Sequence, residues 1–146
     1  MFERLRFVRY ALRFERAFKT DEWTAVAECF RADARYIVAG SATEWDGETR
    51  GRDAIVAFFK KMLDAVDRKF DSRKPGLAGL PRVKRGVLTL PWKARYTVRG
   101  ASMVLHGVSE CRFDGGMIAE LKDTMQADEC ARWAAMIGVD AGATRP

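Results

Sequence analysis

The chain has 146 residues, 48% hydrophobic and 32% charged, which fits one globular domain with a single sizeable core. Its apolar runs are far shorter than the roughly 20 residues that span a bilayer, so a soluble protein without a membrane partner is expected. The net charge of +6 invites a nucleic-acid reading. Its distribution opposes that reading, because the first basic residues are interleaved with Glu3 and Glu15 as on the wet face of a helix, and no nucleic-acid motif accompanies the basic stretch 60–99. Nucleic acid is not an expected partner. Cys29, Cys111 and Cys130 show neither metal-type nor redox-type spacing, which points to reduced thiols and a cytoplasmic setting. His106 is the only histidine, which excludes a zinc site built on several imidazoles and a two-histidine iron site. No metal and no cofactor are expected, so chemistry must rest on carboxylates, tyrosines or this one imidazole.

Taken in chain order, Phe7, Ala11, Phe14 and Phe18 recur at helical spacing, with Leu5, Val8 and Leu12 widening the stripe. A second short helix follows, with Thr20 as N-cap and Trp23, Val26, Ala27 and Phe30 on one side. Residues 35–39 form a short strand, and 40–51 a loop with a turn at Asp46-Gly47 and a lone aromatic, Trp45. Ile55, Phe58, Phe59, Met62, Leu63 and Val66 mark helix three. The segment 71–81, rich in Pro and Gly, is a connecting loop. Strands are predicted near 82–90, 92–99, 102–113 and 117–126, with breaks at Pro91, Gly100 and Gly115-Gly116, in an antiparallel meander. A last helix covers 129–137, stopped by Gly138. Helices before a meander make an α+β order: N-terminal helices packed on a curved, mainly antiparallel sheet. Residues 1–138 form one domain, and 139–146 a flexible tail.

The most informative placement is that of Asp123. Strand side chains alternate faces, so Ala119, Leu121, Asp123 and Met125 share one face while Glu120, Lys122 and Thr124 share the other. A carboxylate on the apolar face either shifts its pKa or acquires a hydrogen bond, and both a structural and a catalytic role fit. By the same parity Trp92, Ala94, Tyr96 and Val98 face inward, as do Met103, Leu105, Gly107, Ser109, Cys111 and Phe113. His106 then falls on the outer face with Val104 and Val108, and only a bulge at Gly107 would turn it inward.

Four segments in order carry a resemblance: Asp21-Glu22-Trp23 leading to Phe30, Ala32-Asp33-Ala34-Arg35-Tyr36, Gly51-Arg52-Asp53-Ala54-Ile55 and Phe113-Asp114-Gly115-Gly116-Met117-Ile118. With them the chain resembles the SnoaL-like domains of the nuclear transport factor two-like superfamily, which includes polyketide cyclases and is related to ketosteroid isomerase and limonene epoxide hydrolase. The resemblance implies a cone-shaped pocket for a small hydrophobic molecule, walled by helices and a bent sheet, and a homodimer. Matched residue by residue, it is divided. The tyrosine, base aspartate and second acid of ketosteroid isomerases fall on Phe14, Val38 and Ser109. The tyrosine and aspartate of limonene-type hydrolases match Tyr36 and Asp123, but their asparagine falls on Val38 and their arginine–aspartate pair on Trp92 and Ala94. SnoaL-type cyclases carry an acid–base aspartate at the position of Asp123.

The expectation is a small-molecule-binding protein that acts as an isomerase, cyclase or hydrolase, with Asp123 as general base and Tyr36 as a hydrogen-bond donor to substrate or water. Trp45, Phe59, Trp92, Tyr96 and Ser109 are the candidate ligand contacts. The competing expectations are a non-catalytic hydrophobic-ligand-binding or dimerisation domain, and a basic interaction module.

Overall fold

A computed structural model describes residues 2–138; the expected tail 139–146 lies outside the described residues. The described residues form four α-helices and a curved, unclosed mixed sheet of seven strands. The elements are α1 (Phe2–Thr20), α2 (Thr24–Ala27), β1 (Phe30–Ala39), β2 (Gly47–Arg50), α3 (Arg52–Ala65), β3 (Ser72–Leu77), β4 (Arg82–Lys84), β5 (Val87–Val98), β6 (Ala101–Asp114), β7 (Met117–Met125) and α4 (Ala127–Met136), with a single 3-10 turn, Asp67–Lys69, after α3. The sheet order is β2-β1-β7-β6-β5-β3, and β4 pairs with β5. All pairings are antiparallel except β1 with β7, so the first strand lies beside the last and the helices between them cover one face. Among the described residues, no helix is long and apolar enough to cross a membrane.

Side-chain periodicity explains the packing and also where the sequence reading departs from the structure. On α3 the buried residues are Ile55, Phe59 and Leu63, spaced at one turn. On α1 only Phe7, Tyr10 and Ala17 are buried, and Leu5, Val8 and Leu12, expected to widen the core stripe, are exposed at 67%, 51% and 67%. Thr20 ends α1 instead of capping α2: its hydroxyl donates to the Arg16 carbonyl and accepts from the Glu22 N–H. The expected loop 40–51 contains β2, and the expected loop 71–81 contains β3, an edge strand with one unpaired side that tolerates Pro75.

Pro91 was the expected break between two strands, and β5 runs straight through it. The reason lies in which side its missing donor faces. Ala78 N–H donates to the Pro91 carbonyl at 3.0 Å, on the β3 and β4 side of the strand. In an antiparallel strand a residue's N and O point the same way, so the absent N–H falls in the gap between the β3 and β4 pairings, where no ladder bond is lost. The last helix stops as expected, with Gly138 in the left-handed region at φ 75°.

Candidate active site

The alternation along β1 buries Ala34, Tyr36 and Val38, and the parallel register sets Tyr36 beside Leu121 and Val38 beside Asp123. Across the other edge of β7, Ser109 stands directly opposite Asp123. Three strands therefore bring one acid and two hydroxyls together on the concave face. Tyr36 Oη donates to Asp123 Oδ2 at 2.7 Å, and Ser109 Oγ donates to Asp123 Oδ1 at 2.5 Å. Two hydroxyl donors on one carboxyl stabilise its ionised form. The Tyr36 ring is fixed edge-on against Phe59 at 4.9 Å between centroids, so its hydroxyl is aimed by packing as well as by the bond.

Asp123 keeps part of its surface open to a largely apolar cavity of about 400 Å³ between the sheet, α1, α3 and α4. Burial pushes its carboxyl above the usual aspartate range, against the downward pull of the Ser109 and Tyr36 hydrogen bonds. Burial and the adjacent Asp123 charge push the Tyr36 phenol well above its ordinary value, so it remains a neutral donor. The Cys111 thiol, on the same face, is also pushed up by burial and by Asp123, which leaves it without thiolate character.

Of the residues singled out from sequence, Tyr36, Phe59, Trp92, Tyr96, Ser109 and Asp123 all line this cavity. Trp45 does not; its ring packs edge-on against Phe58, 5.8 Å between centroids, behind the wall. His106 stays on the outer face, and no register shift occurs at Gly107. Its Nδ1 lies 2.9 Å from Glu129 Oε2 while its backbone N–H donates to Glu129 Oε1, which ties α4 to β6. Gly107 serves a different purpose from a bulge: a Cβ there would stand 2.1 Å from Cζ2 of Trp92, so the glycine lets the indole lie across β6 in the cavity wall.

A second polar cluster was not legible from sequence. Tyr96 Oη donates to Asp67 Oδ2 at 2.7 Å, Arg73 Nε lies 3.2 Å from the same oxygen, and Arg73 also holds Glu15 at 2.7 Å. All four residues line the cavity. Asp67 follows α3 in a short turn with no strand parity to betray it, Arg73 lies in what reads as a loop, and Glu15 reads as solvated. The carboxylates of Asp67 and Glu15 and the phenyl faces of Phe14 and Phe18, 5.9 and 5.4 Å from its guanidinium carbon, hold Arg73 in place. Among the described residues, no group of three or more His, Cys, Asp or Glu is placed to hold a metal ion.

The comparisons agree with this architecture. A protein of nuclear transport factor two-like fold and unknown function from Burkholderia pseudomallei superposes with a TM-score of 0.68 at 18% identity, covering 88% of this chain and 96% of that one. TerC, crystallised with polyporic acid, gives 0.68 at 11% identity over 88% of this chain and 97% of its own. A protein of ketosteroid isomerase-like fold from Catenulispora acidiphila, in complex with trimethylamine, gives 0.65 at 15% identity, with 93% and 97% covered. No curated protein matches the chain. At these identities the structures speak for the fold, while the sequence itself matches the model of the SnoaL-like domain over residues 11–121. That match covers every strand from β1 to β6 and most of β7, and the chain belongs to the SnoaL-like family.

Proposed function

We propose that the protein is an enzyme that removes a proton from a small, largely apolar substrate, or from a water beside it, with Asp123 as general base. The observation that carries this reading is the carboxyl itself, its anion stabilised by two hydroxyl donors yet its proton affinity pushed up by burial, at the wall of an apolar cavity. Such a base is stronger than a solvated aspartate and sits closer to the working pH. Each carboxylate oxygen has two lone pairs, so one on each remains for the incoming proton while Tyr36 and Ser109 stay bonded. Tyr36 acts through the base, because its proton is committed to Asp123, whereas the sequence alone suggested a donor to substrate. Isomerisation, cyclisation and hydrolysis all begin with this step, and the ligand seen in TerC supports a small organic molecule as the substrate.

The test follows the proton. Apolar ketones are soaked with the protein in deuterium oxide, and deuterium entry at the α-carbon is followed by NMR. The wild-type protein catalyses exchange for the compounds it binds, and Asp123→Asn lowers the rate by roughly 10²–10⁴-fold with affinity retained. An unchanged exchange rate in that variant refutes the assignment. A second reading, a ligand-binding domain without catalysis, is favoured by the fact that both Asp123 oxygens already hold protein hydroxyls. It requires bound ketone with no exchange above the solvent rate.

A further inference from the structure

Among the described residues, three buried side-chain atoms lack a hydrogen bond, Asp67 Oδ1, Arg73 Nε and Trp133 Nε1, and all three residues line the cavity. Arg73 Nε has the Asp67 Oδ2 charge at 3.2 Å, which leaves Asp67 Oδ1 and Trp133 Nε1, in residues only 5% exposed. An unpaired buried acceptor or donor is costly, so such atoms in a native protein call for an explanation. They are also neighbours by packing. The Trp133 ring stands edge-on to Tyr96 at 5.4 Å between centroids, and the hydroxyl of Tyr96 donates to the other oxygen of Asp67. Arg73 and Glu15 complete this pole of the cavity. It lies well away from Asp123: on β5, Tyr96 is six positions beyond Leu90, the residue paired with Ser109, which in turn faces Asp123.

We propose that this pole is a subsite for a hydroxyl group on the ligand, at the end remote from the Asp123 carboxyl. A hydroxyl is the small uncharged group that both accepts, from the Trp133 N–H, and donates, to Asp67 Oδ1. A ketone offers no donor for Asp67. A second carboxylate would meet the charges of Asp67 and Glu15. The ligand class is therefore an apolar molecule carrying a free hydroxyl at one end. This rests on the cavity being a ligand site, and not on Asp123 being a base.

The experiment compares hexan-1-ol and heptan-1-ol with the parent alkanes, by calorimetry and by the indole N–H resonance of Trp133, identified through its loss in Trp133→Phe. A hydroxyl weakens binding to an apolar cavity unless partners await it. In the wild type the alcohol binds at least as tightly as the alkane, and the Trp133 resonance moves downfield with the alcohol. In Trp133→Phe, which keeps an aromatic ring on Tyr96 and Phe70, the alcohol becomes about tenfold weaker than the alkane. The proposal fails if the alcohol is equally disfavoured in wild type and Trp133→Phe, if the resonance stays fixed at alcohol saturation, or if it already has the shift and slow exchange of a bonded N–H, as a resident water would cause. Deuterium exchange at Asp123 plays no part in these readouts, so either reading can fall while the other stands.

Discussion

Burial raises the proton affinity of Asp123, while the Tyr36 and Ser109 hydroxyls lower it, and its working pH reflects the balance. Removing either donor leaves burial less opposed. Ser109→Ala and Tyr36→Phe should each move the acid limb of the exchange-rate profile to higher pH, by about one pH unit for one lost hydrogen bond to a charged acceptor. The sign follows from the role: a base works only when ionised, so a higher pKa shortens the active range from the acid side. A pH series on the two variants checks this, and an acid limb moved downward would mean that the hydroxyls do not stabilise the anion. Val38 contributes by what it lacks, since it stands beside Asp123 in the register and offers no hydrogen bond. The position of Asp123 was legible from strand parity alone, because a period of two leaves no freedom once the strand is recognised. Its partners were legible only as types, a tyrosine in the first strand and a serine on the inner face, because the pairing of β1 with β7 joins residues 87 positions apart.

At the scale of elements, the fit of Trp92 against Gly107 shapes the cavity wall. The two residues are paired in the β5–β6 register, and no side chain on Gly107 can coexist with the indole where it lies. Gly107→Ala should lower stability by about 1–3 kcal/mol through overpacking, measured by urea unfolding. Trp92→Phe removes the atoms that the new methyl would strike, so the cost of Gly107→Ala should be smaller in that background, a coupling read by a double-mutant cycle. Equal costs in both backgrounds would show that the indole is not the obstacle. The same glycine shows why some elements were misread. From sequence a lone strand glycine suggests a bulge, a proline suggests a break and a Pro-Gly run suggests a loop. Each rule assumes a fully paired strand. Here Pro91 faces a gap between β3 and β4, Pro75 lies on an edge, and Gly107 makes room for a neighbour, facts about pairing partners that local composition does not carry.

Across the whole molecule, the chain buries two carboxyls in its cavity wall whose proton affinity is raised, Asp67 and Asp123, each chiefly by burial. Arg73 and the Tyr96 hydrogen bond offset part of the effect at Asp67, but Asp123 faces two neutral hydroxyls. An acid with a higher pKa in the native state than in the unfolded chain binds more protons when folded, so its contribution is fully present below the unfolded value and lost as pH rises through the native one. Each tenfold difference in proton affinity is worth about 1.4 kcal/mol. Asp123→Asn removes this dependence for one of the two groups. The variant's melting temperature relative to wild type should therefore rise steadily from acid pH, where both carry a neutral side chain at position 123, and level off once the native Asp123 is ionised. Thermal melts of the two proteins from about pH 3, below the unfolded aspartate value, to mildly alkaline pH measure that difference directly. A difference that is flat with pH would mean that burial leaves the proton affinity of Asp123 unchanged, and with it would go the physical reason for placing a base in this apolar wall.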